Sequence, residues 1–337
     1  MESSRRIGPF GVPAIGLGCM NVSWAYGPPV ADADAERLLL AALDAGVTLF
    51  DTAALYGFGT NETLVGQVLG QHRDRIVLCT KGGMTGEPVG PGGALQRVID
   101  GRPASLRRHL EQSLKRLGTD RIDVYYLHRW DKAVPIEDSV GELSRAVERG
   151  QVRAIGLSEV SAATLKRAHT VHPIAALQSE YSPWSREAEL GSLAACAQIG
   201  AAYVAFSPVG RGALTATPPA VAALDAGDIR RTMPRFVGAS WTQNQSLLAG
   251  FRDIAQTSGR TPAQLALAWL LARGPHVIPI PGTTRVDHLL ENVAAAERPL
   301  DADTLAAVDR LLPPGRPVGP RYSAATQAEV DTETWPG

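Results

Sequence analysis

The sequence predicts a single-domain (β/α)8 barrel, and three observations predict it. Short apolar, strand-like runs alternate with helix-like stretches about eight times over roughly 300 residues, the count and size of such a barrel. The runs are apolar throughout, as expected of parallel strands covered by helices on one side and packed inside on the other. Residues able to do chemistry stand just after those runs, where the active sites of barrels sit. A doubly wound open sheet is the competing architecture. No solenoid-period repeat and no dividing linker is visible, so residues 1–337 read as one domain, with a core of about 6–311 and a tail over 312–337.

In chain order, residues 15–18 read as the first strand. A helix is expected over 32–45, with acids in its first turn, Leu38, Leu39 and Leu43 on one face, and Gly46 suited to its C-terminal cap. Strand two, 47–50, ends at Asp51. The next helix covers 61–69, with Asn61 as its expected N-cap. Strand three, 76–80, ends at Lys81, and a helix over 103–117 is closed by Gly118. Strand four, 122–127, ends at His128, and a helix over 136–149 is followed by Gly150. Strand five, 154–157, ends at Ser158, with a helix over 162–168. Residues 174–177 lead to Gln178, with a helix over 190–199. Strand seven, 201–206, ends at Ser207 and Pro208. After a long insertion come a helix over 262–271, strand eight over 277–280, and a closing helix over 286–296.

Composition narrows the function classes. The chain is 45% apolar and 20% charged, with a net charge of −1, an ordinary globular balance. Basic residues form no stripe, so neither nucleic acid nor an anionic membrane surface is an expected partner. The cysteines Cys19, Cys79 and Cys196 have no metal-type or redox-type spacing and read as free thiols. The N-terminus, Met1 through Arg6, is polar and charged and lacks the apolar core of a secretion signal. No later run is long enough to span a membrane. The expectation is a cytoplasmic protein without a metal site.

Two segments rich in Gly and Pro, 82–101 and 208–219, follow strand ends and belong at the C-terminal face. The first has the glycine count of a phosphate loop but not the G-K-[ST] ending, so a mobile loop is the favoured reading. Residues 316–337 are expected to drape over the barrel or to be disordered.

Asp51, Lys81 and His128 close successive strands, and Tyr56 lies just beyond the first of them. Taken singly, each has a bland reading: a helix cap or salt-bridge acid, an aromatic lid residue, a satisfied polar histidine. Lys81 alone also suits a Schiff-base lysine. Strand ends of a barrel converge on one mouth, which makes a combined reading stronger. A phenol holds its proton to about pH 10. A neighbouring ammonium favours the phenolate, so Lys81 is expected to lower the pKa of Tyr56. Asp51 would hold Lys81 charged and oriented, and His128 would hydrogen-bond a carbonyl oxygen. The set is a general acid for a developing alkoxide.

These residues carry a resemblance. Residues 50–62, the strand ends at Lys81 and His128, Gly156-Leu-Ser158, Gln178-Ser-Glu-Tyr181, Phe206-Ser-Pro-Val-Gly-Arg-Gly212 and Pro279-Ile-Pro-Gly-Thr-Thr-Arg285 resemble the aldo-keto reductase superfamily. The likeness runs from about Arg6 to Leu311 in unbroken order. It is most similar to the bacterial group marked by Tyr181-Ser-Pro-Trp184. The resemblance implies a barrel that binds NADPH without a Rossmann domain. It implies a tetrad of Asp51, Tyr56, Lys81 and His128, in which Tyr56 donates the proton and His128 orients the carbonyl. It implies that Ser158 and Gln178 meet the nicotinamide carboxamide, and that Phe206 stacks on the ring where relatives have Tyr or Trp. Ser207, Pro208, Gly210, Arg211 and Gly212 would fold over the pyrophosphate. Gly282, Thr284 and Arg285 would take the 2′-phosphate, with Glu291, Asn292 and His288 near the adenine. Cys19, Met20 and Asp51 join the implied cofactor contacts.

Part of the 2′-phosphate assignment has independent physical support, because Thr283, Thr284 and Arg285 precede a helix whose N-terminal amides favour an anion. Glu159 stands where the wider family often has Asn. It is expected to alter the field near the carboxamide. Trp24, Phe58, Trp130 and Trp184 follow strand ends and are candidates for an aromatic substrate pocket, with Tyr56 and His128 at its floor. Such a pocket would favour apolar or aromatic carbonyls. The alternatives in other classes are a nucleotide-sensing regulatory or channel-subunit-like protein with slow turnover, and a Schiff-base aldolase using Lys81.

Overall fold

A computed structural model describes residues 5–90 and 92–335. Residues 1–4 of the polar N-terminus, Pro91 of the first Gly- and Pro-rich segment, and residues 336–337 of the tail lie outside the described residues. A hairpin of β1 (Arg5–Ile7) and β2 (Phe10–Val12) opens the chain. Then come β3 (Leu17–Gly18), α1 (Asp32–Asp44), β4 (Leu49–Asp51), α2 (Thr60–Leu69) and β5 (Val77–Gly82). A second hairpin, β6 (Met84–Val89) with β7 (Ala94–Ile99), precedes α3 (Pro103–Leu117). The alternation resumes with β8 (Ile122–Leu127), α4 (Ile136–Glu148), β9 (Val152–Ser158), α5 (Ala162–Val171), β10 (Ile174–Glu180), α6 (Ser192–Ile199) and β11 (Ala202–Phe206). The chain finishes with α7 (Gly238–Thr257), α8 (Pro262–Leu271), β12 (Val277–Pro279), α9 (Val286–Ala294), α10 (Ala302–Leu311) and α11 (Ala324–Ala328).

The main sheet has eight strands in the order β3-β4-β5-β8-β9-β10-β11-β12, each neighbour parallel. The two ends of this order meet: Gly16 N donates to Pro279 O at 3.0 Å and Gly18 N to Pro281 O at 3.3 Å. The sheet is therefore a closed barrel, as the sequence predicts. Local signals account for the clean helix ends. Pro103 starts α3 and Gly118, at φ 62°, ends it. Thr261 and Gln264 form a reciprocal capping box at the start of α8.

Period two decides what the barrel holds. Side chains alternate in and out along a strand, and one parity builds the interior. Leu49, Val77, Cys79, Val124, Tyr126, Ala154, Ala176, Ala202, Val204 and Ile278 form one apolar cluster inside, closed from below by Ile7 and Val12 of the first hairpin. Continuing the same parity upward reaches Asp51, Lys81, His128, Ser158, Gln178 and Phe206. The opposite parity, with Phe50, Leu78, Tyr125, Leu127, Ile155, Leu157, Leu177 and Tyr203, joins the helices in the larger core.

Several sequence expectations are corrected here. The 82–101 segment is not a mobile loop. Its strand-forming residues pair as a hairpin in register Met84↔Ile99 through Val89↔Ala94, and Gly90 and Gly93 take positive φ at the turn. Asn61 does not cap α2, whose N-cap is Gly59. Asn61 is fully buried instead, accepting from Thr52 Oγ1 at 2.6 Å and donating to Cys19 O and Ser23 Oγ, each at 2.8 Å. Gly191 breaks the expected 190–199 helix, which starts at Ser192. The first hairpin, α7 and α10 add to the elements that the sequence predicts. The tail drapes: Asp331 Oδ2 accepts from Ser161 N at 3.1 Å, and Lys132 Nζ donates to Val330 O at 2.8 Å. Among the described residues, no helix is long and apolar enough to cross a membrane.

Gly156 tests the interior packing. A Cβ there would lie 2.3 Å from the Tyr126 ring, which is itself fully buried. Gly156→Ala should destabilise the fold by about 1–3 kcal/mol through overpacking, read by urea unfolding. An unchanged midpoint would show that the ring has room to move.

Candidate active site

The upper end of the barrel opens into a cleft of about 860 Å³ that runs from Tyr56 and His128 past Phe206 to Arg285 and Asn292. At its floor Lys81 is almost wholly buried, and its three ammonium donors each have an acceptor. Nζ donates to Asp51 Oδ1, to Thr52 O at 2.9 Å and to Tyr56 Oη at 3.1 Å. Burial works against the ammonium, but Asp51 and Tyr56 outweigh it and raise Lys81 above an ordinary lysine. Asp51 uses its other oxygen to accept from Gln178 Nε2 at 2.8 Å.

Tyr56 corrects one expectation. Its pKa lies above the usual phenol value, because burial penalises the phenolate more than Lys81 favours it. Asp51 already takes up much of the lysine charge. His128 is buried beside it, edge-on to the Tyr56 ring with centroids 5.9 Å apart. Burial first, then Arg129 and Lys81, push His128 well below the usual histidine range, so it is neutral near pH 7. Its Nδ1 has no partner among the described residues.

The remaining sequence-predicted residues divide by placement. Met20, Asp51, Ser158, Gln178, Phe206, Ser207, Pro208, Arg211, Gly212, Gly282, Thr284, Arg285, His288, Glu291 and Asn292 all line the cleft. Cys19 and Gly210 do not. Cys19 is buried beneath the mouth with Sγ toward Leu17 O, and Gly210 packs against Trp184 and Leu214. Two residues that do line the cleft are already engaged. Arg211 gives Nη2 to Glu180 at 2.7 Å and is only 9% exposed, so its guanidinium is already committed within the protein. Arg285 is held by Asp287 through Nε at 2.9 Å and Nη2 at 2.5 Å, both side chains exposed.

Of the four aromatics, only Trp24 lines the cleft, with its ring centroid 6.2 Å from that of Tyr56. Phe58 sits outside it against Gly86 of the second hairpin. Trp130 donates from Nε1 to Val134 O at 2.8 Å and lies under Arg167, and Trp184 is buried in the helix-side core. The expected aromatic pocket is therefore reduced to Trp24 and Tyr56, joined by Met84 and Leu55. Lining residues that sequence reasoning missed include Asn21, Arg97, Arg129 and, from the tail, Tyr322 and Ser323. Arg129 had a usable signal, since it directly follows the strand-end His128. The tail residues had none.

Glu159 is also reinterpreted. Its buried carboxylate is matched by Arg321 of the tail, at 3.2 Å and 3.0 Å to the two oxygens, so it adds little net field at the mouth. Glu180 sits in the same network. Its burial opposes ionisation, yet Arg211, Arg321 and Arg235 together hold it down at about 2. Among the described residues, no group of three or more His, Cys, Asp and Glu is arranged to hold a metal.

Breaking this network from one side should be costly. Arg321→Met should destabilise by about 3–5 kcal/mol because it strands a buried carboxylate. The double variant Arg321→Met/Glu159→Gln should recover part of that loss in chemical denaturation. Equal losses would mean that the pair is not coupled.

The Aldo/keto reductase family model matches residues 14–313. The chain is 39% identical over 338 aligned positions to "Aldo-keto reductase yakc [NADP(+)]" of Schizosaccharomyces pombe, covering 99% of this chain and 98% of the relative. Among solved structures it is similar to the glycerol dehydrogenase AKR11B4 from Gluconobacter oxydans, with TM-score 0.84, 28% identity and coverage of 96% and 100% of the two chains. It is also similar to an aldo/keto reductase from Klebsiella pneumoniae in complex with NADP and acetate, with TM-score 0.71, 30% identity and coverage of 96% and 99%. These relatives come from a yeast and from bacteria. With the barrel, the strand-end residues and the matched length in agreement, the chain belongs to the aldo/keto reductase family.

Proposed function

We propose that this chain, acting as one barrel unit, reduces aldehydes or ketones to alcohols with NADPH. The observation that carries the reading is the saturated Lys81, which presents Tyr56 Oη to the cleft beside a neutral His128. The donor set fits the cofactor. One end of the cleft offers the amide and hydroxyl of Gln178 and Ser158 to a carboxamide, with the flat face of Phe206 beside them. The other offers Thr283, Thr284 and Arg285 at the N-terminus of α9, a suitable place for a phosphate. Glu291 and Asn292, on the same helix, suit an adenine. When bound, NADPH supplies a hydride to the carbonyl carbon.

The chain's own residues do the rest. His128 donates its N–H to the carbonyl oxygen and polarises it. Tyr56 passes its proton to that oxygen as charge develops there. Lys81 then stabilises the phenolate left on Tyr56, and Asp51 keeps Lys81 charged and aimed. A Schiff-base role for Lys81 is disfavoured, because such a lysine needs a neutral amine and this one is paired, triply bonded and shifted upward.

Tyr56→Phe should retain NADPH binding, read by tryptophan fluorescence, and lose most reduction of an aldehyde panel. Full activity would remove Tyr56 from the acid role. Binding without turnover by the unmodified protein would favour the nucleotide-sensing reading.

The pH dependence follows from the same shifts. Reduction needs protonated Tyr56, whose pKa is raised, and neutral His128, whose pKa is lowered. Neither group should ionise between about pH 7 and 9, so reduction should be level there. Alcohol oxidation needs the phenolate and should rise with pH. An apparent pKa near 7 in the reduction profile of the unmodified protein would contradict this.

Arg285→Ala should weaken NADPH far more than NADH in fluorescence titrations. Equal weakening would separate Arg285 from the 2′-phosphate.

A further inference from the structure

Nearly every cation lining the cleft has its charge met within the protein. Arg97 pairs with Glu329 at 2.5 Å, Arg211 with Glu180 at 2.7 Å, Arg230 with Asp228 at 2.6 Å and Arg285 with Asp287 at 2.5 Å. Arg129 is the exception among the described lining arginines: no carboxylate lies within ion-pairing distance of it. Its protein hydrogen bonds both come from Nη1, which donates to His128 O at 2.7 Å and Ser158 Oγ at 3.3 Å. Among the described residues, Nε and Nη2 donate to no protein atom. The guanidinium is half-buried, pinned at one corner, and leaves donors open beside the residue that meets the carbonyl.

We propose that Arg129 determines substrate specificity, and that the substrates it selects are oxo acids: aldehydes or ketones with a carboxylate a few bonds from the carbonyl carbon. This deepens the reductase reading and rests on it. Planar, fixed guanidinium donors match the two oxygens of a carboxylate. A phosphate would call for more positive charge than one arginine supplies, and the neighbouring Arg97 is already spent on Glu329. The acid at this end of the cleft, Asp51, is neutralised by Lys81 and does not repel a second carboxylate. Glu291 stands at the far end, with Asn292 and Arg285. Arg129 also acts on both groups of the proposed chemistry, disfavouring protonated His128 and opposing the rise at Tyr56. The redox step is unchanged. Hydride adds to the carbonyl carbon, the proton of Tyr56 goes to the oxygen, and the carboxylate leaves as it entered.

The test is a matched pair of substrates differing only in that charge: 4-formylbenzoate and its methyl ester, and 4-oxobutanoate and its methyl ester. Full-length protein with NADPH should favour each acid over its ester by roughly tenfold or more in kcat/KM. Arg129→Met should bring that ratio to about one, and Arg129→Lys should keep part of it. The ratio cancels any shared loss from a disturbed Ser158 or a weakened cofactor. A binding readout runs beside it: benzoate should bind the NADP+-loaded wild type more tightly than benzamide, and the difference should vanish in Arg129→Met. A wild-type ratio near one overturns the proposal. So does an unchanged ratio in Arg129→Met with both rates lowered, which would make Arg129 a general stabiliser of the alkoxide. In both cases turnover of the esters leaves the reductase reading standing. Absence of turnover for acids and esters alike would remove that reading, and this proposal with it.

Discussion

The side-chain parity of the closed parallel barrel is the constraint on which the rest depends. Once Leu49, Val77, Val124, Ala154, Ala176 and Ala202 face inward, two more steps along each strand must also face inward. That geometry carries Asp51, Lys81, His128, Ser158 and Gln178 to one mouth from strands far apart in sequence. Closure through Gly16 and Gly18 to Pro279 and Pro281 brings the last strand's end, with Gly282 and Thr284, into the same rim. A slip by one residue in any strand would send its polar residue into the helix-side core.

The mouth is built from charges that water does not reach, and such charges are tolerated only when paired. Asp51 with Lys81, Glu180 with Arg211, and Glu159 with Arg321 are all buried pairs. These three pairs cancel among themselves, which leaves Arg129 as the cation whose charge is not answered at the mouth. The same accounting explains why Tyr56 keeps its proton. A lysine whose charge is largely answered by Asp51 cannot overcome the desolvation of a phenolate.

The barrel and its chemical floor were legible because strand ends and period-two patterning are local signals with a global consequence. What escaped the sequence reading did so for identifiable reasons. Gly and Pro in 82–101 read as breaks, yet a two-stranded hairpin accepts Pro88 at its edge. Helix α7 begins in a polar stretch, Gly238 through Ser246, so the helical spacing of its buried Leu247, Leu248, Phe251 and Ala255 covers only its second half. Three of four aromatics were misplaced because standing after a strand end does not say which way a loop turns. The partners of Arg285 and Glu159 were also hidden. Asp287 lies two residues from Arg285 in a helix's first turn, where an acid has an ordinary capping role, and Arg321 lies in a tail whose composition carries no pairing signal.

The pairing of Arg321 with Glu159 bears on how the molecule can be made. Strand β3 finds its last partner only when residues near 281 exist, and Glu159 finds its cation forty residues later still. During synthesis the half-built barrel has two open edges, and Glu159 at its top has no cation. Long-range closure of this kind is slow and leaves strand edges exposed. A nascent chain that stopped short of the tail would hold Asp51, Tyr56, Lys81 and His128 in place while Glu159 on the rim lacked Arg321.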